Sequence, residues 1–316
     1  MTEELLSQFY REMLRIRLAE EKLIELWHAN EIRSLMHLST GQEAVAVGVC
    51  QALAEEDLIV STHRCHAHYL AKGGSLKKMY AELAGKVGGC SRGKGGSMHL
   101  FEPSAGVFLS LPIVAGSIPI AVGTAFSAQL KGIRRVTVAF FGDGAVEEGV
   151  FWESLNFSQV HHLPVIFVCE NNLYATHSHI IKRQPNDQIA SRLSGYGVYA
   201  ETVDGNDVES VYEMTLKMIG RSLSGQGPSF LEAKTYRLKE HWGPGEDWHL
   251  GYRWEAEGDM WRKKCPLLRL SDRLGGALIN QKNFALMTEQ INAEIAEAVD
   301  FAKSSPEPEE KELYQW

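Results

Sequence analysis

The run RVTVAFFGDGAVEEGVFWESLNFSQVHHLPVIFVCENN, Arg135 to Asn172, decides the fold. Its two apolar segments, 135–141 and 163–169, have the length and the β-branched and aromatic content of buried strands. Residues 145–160 between them are long enough for a helix. A strand, a helix and a second strand in so short a span form a parallel crossover unit. Each strand runs out into polar residues: Gly142-Asp143-Gly144 after the first, Glu170-Asn171-Asn172 after the second. In parallel α/β sheets ligands bind beyond the carboxyl ends of the strands. The Asp143 carboxylate and the Asn172 amide are therefore set to converge. The glycines let backbone N–H groups approach phosphate oxygens, and the following helix adds the positive end of its dipole. Hard oxygen ligands of this kind suit Mg²⁺ held together with phosphates. A Gly-Asp-Gly string alone is a tight turn; the asparagine 29 residues further on gives it a chemical reading.

Outward from this unit, the alternation of strands and helices continues. Leu5, Phe9, Met13, Ile16, Leu23 and Trp27 recur at helical spacing and predict a helix over 3–30. Further helices are expected over 42–55, 76–83, 119–131, 188–194, 207–222, 267–274 and 285–302, helix resuming from Trp261. Strands are expected over 57–61, 201–203 and 228–236. Residues 85–98, 175–187 and 241–254 read as loops. The acidic, prolyl tail from Ser304 reads as a solvated or docking segment. The expectation is one α/β unit over 1–316, with a mainly parallel sheet flanked by helices and helical N- and C-terminal extensions.

Bulk composition narrows the function. A net charge of −8 gives no basic face for nucleic acid. No run of about 18 apolar residues predicts a membrane span. The opening MTEELLSQFYREM is acidic and helical, unlike a signal peptide, so a cytoplasmic location is expected. The five cysteines are scattered without a C-x-x-C pair, which argues against a zinc ribbon or a disulfide framework. Two local patterns mimic other sites. His63, His66 and His68 lie close in sequence but lack a carboxylate or cysteine partner, so they are not read as a metal cluster. Gly88 to Gly95 imitates a P-loop, yet glycine stands where the hydroxyl residue belongs and no strand feeds the loop.

Longer strings carry a resemblance. GDGAVEEGVFWESLNFSQVHHLPVIFVCENNLYA (142–175), HLSTGQEA (37–44), STHRCHAHYLAKG (61–73), GGCSRGKGGSMH (88–99), VDGNDV (203–208), TYR (235–237) and FAKSSPEP (301–308) occur in order. Together they resemble the α subunit of the decarboxylating component of 2-oxo acid dehydrogenase complexes, which act on pyruvate, branched-chain 2-oxo acids or acetoin. The resemblance implies a thiamine-diphosphate fold with Mg²⁺. Asp143 and Asn172 would bind the metal by side chain and Tyr174 by its carbonyl. The Gly142 turn with the N–H groups of Gly144 and Ala145, together with Arg64 and Arg237, would hold the diphosphate. His63, which stands where the family often has tyrosine, and His241 would join the cofactor-binding set. Ile113 and Val114 match the segment meeting the aminopyrimidine. His37 and His241 match histidines facing the substrate, and His66 would line the same site.

The resemblance also implies partners. A β subunit would donate the glutamate that activates the ring, in an assembly of two α and two β chains. A lipoyl acyltransferase core would take the acyl group from a 2-oxo acid or acyloin substrate. The pattern departs on the substrate side: Trp242 stands where a regulatory serine often sits, Pro112 replaces a glycine, and Pro185 aligns with an arginine of some branched-chain enzymes, leaving Lys182 or Arg183 to compensate. A non-oxidative carboligase or transketolase-like enzyme is the alternative reading. A degenerate assembly subunit is a third, opposed by intact Asp143, Asn172, Arg64 and His37.

Overall fold

The computed structural model describes residues 1–32, 34–275 and 281–314, with backbone alone at 281–283 and 313. Its centre is a six-stranded parallel sheet: β1 (Leu58–Ser61), β2 (Val107–Ser110), β3 (Thr137–Gly142), β4 (Val165–Asn171), β7 (Tyr199–Asp204) and β8 (Ser229–Lys234). The order across the sheet is β2-β1-β3-β4-β8-β7. Two short strands, β5 (Tyr174–Ala175) and β6 (Ser178–His179), form an antiparallel hairpin outside it.

Both faces are covered, which is why the strands read as unbroken apolar runs. Side chains alternate between two cores. Val138, Phe140, Ile166, Val168 and Leu231 face one. Ala139, Phe141, Val165, Phe167, Cys169 and Phe230 face the other. The first core is closed by α1 (Glu3–His28), α2 (Glu43–Ala52), α3 (His66–Ala71), α4 (Leu76–Leu83), α7 (Val208–Leu223), α9 (Pro266–Leu274) and α10 (Gln281–Ser304). The second lies under α5 (Ser117–Leu130) and α6 (Gly149–Val160). The remaining helix, α8, covers Glu255–Arg262. Arg15 of α1 grips Glu294 of α10 at 2.6 and 3.0 Å, tying the two helical extensions together.

The main expected elements recur, with differences; the loop expected over 175–187 carries part of the β5–β6 hairpin, and the helix expected over 188–194 is a 3₁₀ turn over Ala190–Tyr196. Residues 66–71 form a short helix and 107–110 a four-residue edge strand, neither long enough to show a period in the sequence. The helix after β3 begins as a 3₁₀ turn over Asp143–Glu147 before α6 starts at Gly149. Helix resumes at Glu255 rather than Trp261, as α8, and is broken before α9, where Pro266 takes the first turn, a position that needs no N–H.

The glycine-rich loop has its own occupant. The buried Glu82 carboxylate accepts from the N–H groups of Ser91 (2.7 Å), Gly93 (2.9 Å), Gly95 (2.7 Å) and Gly96 (3.0 Å). The loop thus wraps an internal anion, as a P-loop wraps phosphate, which accounts for the mimicry in sequence. The tail closes over it: Val87 donates to the Pro306 carbonyl at 3.0 Å and Arg92 pairs with Glu312 at 2.7 Å.

Strand order sets the site. From β1 the chain steps outward to β2, then returns to place β3 and β4 on the other side. The crevice at the carboxyl ends of β1 and β3 is therefore a topological switch point, where such sheets bind ligands.

Candidate functional site

A cleft of about 340 Å³ opens at that switch point. Most of its walls are loops that leave a strand at its carboxyl end. His63 and Arg64 follow β1, Ile113 and Val114 follow β2, and Asp143, Gly144 and Ala145 follow β3. Asn172 and Tyr174 follow β4, and His241 follows β8. His37 and Gln42 enter from the segment before α2. A second hollow of similar volume, between α1, α4 and α10, is lined mainly by Leu26, Ile32, Tyr80, Val299 and Ala302, with few polar groups to orient a ligand.

One end of the cleft is built for a cation and an anion together. Asp143 is 1% exposed, and burial raises its pKa against the opposing pull of Arg183. The Arg183 guanidinium bridges Asp143 and Glu147. Asn172 Nδ2 donates to Gln42 Oε1 at 2.9 Å, while its Oδ1 accepts the Tyr174 N–H at 3.2 Å. Gln42 Nε2 is buried without a partner. At Gly144 an added Cβ would stand 2.9 Å from the Ala175 Cβ, so a side chain would fill the approach to the backbone. Three non-glycine residues here, Ala115, Leu173 and Thr176, hold positive φ of 60°, 74° and 51°. Each such residue costs about 1–3 kcal/mol, and such strain gathers at ligand sites. These residues fit a divalent metal with a diphosphate: a buried carboxylate whose present counter-charge is a guanidinium, a neighbouring carboxamide, and an open backbone turn.

The other end is lined by imidazoles. The His37 ring centroid lies 4.6 Å from that of His63 and 5.1 Å from that of His241. Burial, with the Arg64 charge beside them, lowers His37 to about 2 and His63 and His241 to about 3. All three are uncharged at neutral pH. Arg64 donates to the carbonyls of Leu38 (2.6 Å) and His241 (3.0 Å), which fixes it between the two ends. Burial and the Arg237 charge bring its pKa down to about 10, so it remains a cation at neutral pH.

Two expected site residues stand outside the cleft. His66 is fully buried, its Nε2 2.8 Å from Ser97 Oγ and its Nδ1 3.6 Å from Glu20. It opens α3, and the helical turn carries it into the first core behind Arg64. Arg237 is also fully buried, 3.1 Å from Asp247 and 2.7 Å from both the Thr176 carbonyl and Tyr252 Oη. It braces the loop that carries Thr176, one layer behind the cleft wall. Gln42, Glu170 and Arg183 line or reach the cleft and were not among the expected ligands. Gln42 lies within the HLSTGQEA string, the signal that could have found it; Arg183 stands out in the sequence only as a substitute for an arginine aligned with Pro185, and its pairing with Asp143 emerges from the fold after the β5–β6 hairpin.

A parallel sheet with its ligand cleft at the switch point, and metal-type and phosphate-type groups on adjacent loops, is the α/β fold of thiamine-diphosphate enzymes. The chain belongs to the dehydrogenase E1 component family, whose model matches residues 11–311. The α subunit of an acetoin:2,6-dichlorophenolindophenol oxidoreductase from Bacillus subtilis is 38% identical, over 99% of this chain and 93% of that one. The pyruvate dehydrogenase E1 component subunit alpha of Zymomonas mobilis is also 38% identical, over 99% and 88%. The corresponding subunit of Rhizobium meliloti is 37% identical, over 96% and 87%. The chain is thus an α-type subunit of a thiamine-diphosphate-dependent oxidoreductase of the 2-oxo acid dehydrogenase type.

Proposed function

We propose that the chain, acting as one unit over 1–316, anchors the diphosphate of thiamine diphosphate through Mg²⁺. Asp143 and Asn172 give side-chain oxygens to the metal and Tyr174 its carbonyl. The Gly142 turn, the N–H groups of Gly144 and Ala145, and Arg64 hold the diphosphate. Ile113 and Val114 meet the pyrimidine with their backbone. The observation that carries this reading is the buried Asp143 beside Asn172 at the switch point, already neutralised by a cation in the form of Arg183.

The bound cofactor supplies the carbanion chemistry that decarboxylates a 2-oxo acid or splits an acyloin. The chain's residues bind and orient. Arg64, fixed by two carbonyls, offers its charge to the diphosphate without a conformational cost. His37 and His241 begin uncharged, so each can donate or accept a hydrogen bond at the substrate oxygen that gains charge.

The group that activates the ring is assigned to a β subunit. Of the carboxylates on this side of the cleft, Glu147 pairs with Arg183, and Glu170 lies 3.4 Å from His68 Nε2. Leu35, Ile113 and Val114 are exposed apolar residues lining the cleft, suited to being covered by that subunit. Two α and two β chains, with a lipoyl acyltransferase core as acyl acceptor, complete the assignment, and the names of the relatives favour pyruvate or acetoin as donor.

The test is an assay of the coexpressed α/β pair with pyruvate, branched 2-oxo acids and acetoin, using an artificial electron acceptor. Turnover of at least one donor is expected. Silence with every donor, while cofactor binds, contradicts the oxidative assignment and favours the carboligase reading.

A further inference from the structure

His66, expected at the cleft, stands behind it in the first core, and there it has partners of its own. It is fully buried at the start of α3. Its Nε2 lies 2.8 Å from the Ser97 hydroxyl, at the end of the glycine-rich loop, and its Nδ1 faces Glu20 Oε1 at 3.6 Å. Glu20 is a fully buried carboxylate on the inner face of α1. Its Oε1 accepts the Ser39 N–H at 2.7 Å, and its Oε2 accepts the Thr40 hydroxyl at 3.0 Å. Ser39 and Thr40 lie between His37 and Gln42, which reach the cleft, while Glu20 and His66 lie outside it. We propose that Glu20 and His66 are positioning residues, a buried carboxylate–imidazole pair that fixes the segment 37–42 from behind and so sets where His37 stands.

The residue types fit that role better than core filling. The neighbours of Glu20 on the buried face of α1 include Ile16, Ala19 and Leu23, and an apolar side chain would continue that face without stripping water from a charge. Three donors converge on Glu20 instead: the Ser39 N–H, the Thr40 hydroxyl and, with its proton on Nδ1, the His66 ring. A carboxylate accepts from all three, whereas a carboxamide turns a donor toward one of them. With that proton on Nδ1, Nε2 accepts from Ser97, so both partners of His66 fix the same tautomer and ring orientation. From the cleft side, the Arg64 guanidinium donates to the Leu38 carbonyl at 2.6 Å and the Leu238 N–H to the Thr40 carbonyl at 2.9 Å. The segment is thus clamped from two sides, and loss of Glu20 releases one while the other keeps the chain in place. A misplacement of about 1 Å in a positioned group costs up to about 100-fold in rate. Asp143 and Asn172 stand on the loops after β3 and β4, and no hydrogen bond of Glu20 reaches them. The role in turnover rests on the assignment of His37 to the substrate side of the cleft.

The test follows His37 in the full chain by NMR of ring-labelled histidine, its signal identified by its loss in His37→Gln, and compares turnover and cofactor binding in coexpressed α/β pairs. In Glu20→Gln the His37 ring signal is expected to move, and kcat to fall about tenfold or more while calorimetric affinity for thiamine diphosphate stays within about threefold. His66→Gln moves the same signal. Thr40→Val, a milder change that removes one of the bonds to Glu20, moves it too and lowers kcat, while Thr40→Ser keeps the hydroxyl and restores both. Glu21→Gln, the next residue on α1 and exposed to solvent, alters neither. Circular dichroism checks that each variant is folded. An unmoved His37 signal in folded Glu20→Gln and Thr40→Val, Thr40→Ser behaving as Thr40→Val, or a loss of cofactor affinity as large as the loss of kcat would overturn the proposal. A wild-type pair silent with every donor counts against the substrate-side assignment instead, and the His37 signal still decides the positioning.

Discussion

At the scale of single residues, Arg183 is the informative one, because a buried carboxylate needs a counter-charge and Arg183 provides it before any metal does. It therefore competes with Mg²⁺ for Asp143. Arg183→Ala is expected to lower the Mg²⁺ concentration for half-maximal cofactor binding about tenfold, a difference of about 1.4 kcal/mol. The same change leaves Asp143 buried and unpaired, so the cofactor-free chain loses about 3 kcal/mol of stability. Weaker Mg²⁺ dependence on removal of Arg183 would instead make it part of the binding set. The histidines give a pH prediction. Their folded pKa values, about 2 for His37 and about 3 for His63 and His241, lie below the ordinary 6.5. Below pH 6.5 the unfolded chain takes up protons that the folded chain refuses, so stability present above 6.5 is lost as pH falls toward 3. Asp143, with its raised pKa, acts in the opposite sense. The urea midpoint of the cofactor-free chain should drop between pH 7 and pH 5, and His63→Phe should reduce that slope by about a third; parallel curves for the two proteins would refute the burial of these rings. Asp143 and Asn172 stand out in the sequence because each directly follows an apolar strand, whereas Arg64 stands out only through the family resemblance. His66 misled because a short helix after β1 turns it into the core, a rotation that a six-residue run does not reveal.

At the scale of elements, the helix α4 and the loop after it form one device. Glu82 supplies the anion and the glycine-rich loop the four N–H groups that close on it. Glu82→Gln replaces one acceptor oxygen with a donor that faces two of those N–H groups. A loss of about 2–4 kcal/mol is expected, since hydrogen bonds to a charged group and stranded buried donors each weigh 1–3 kcal/mol. Limited proteolysis should then cut within 85–98 before any other segment; a protected loop would show that glycine turns and the tail hold it without the carboxylate. The longer elements were legible because burial on two faces writes continuous apolar strands and helical periods into the sequence. The loop's conformation was not, because the group that organises it lies in the preceding helix and is read there as one more polar position.

At the scale of the molecule, the fold presents half of a reactive centre. On the proposed reading the diphosphate and metal groups converge from loops after β1, β3 and β4, where Arg183 pairs with Asp143 and Glu147 and Glu170 lies 3.4 Å from His68 Nε2. On the same reading, the exposed apolar residues Leu35, Ile113 and Val114 at the cleft are where a second subunit would complete it. Parallel topology made this end of the sheet legible from one strand–helix–strand unit; the histidine wall was not, because it joins segments separated by most of the chain. The central claim is that Asp143 anchors the cofactor through a metal. Calorimetry of thiamine diphosphate binding to the coexpressed pair, with and without Mg²⁺, tests it most directly. Binding that requires Mg²⁺ in the wild type and disappears in Asp143→Ala is the predicted result; Mg²⁺-dependent binding that survives in Asp143→Ala would contradict it.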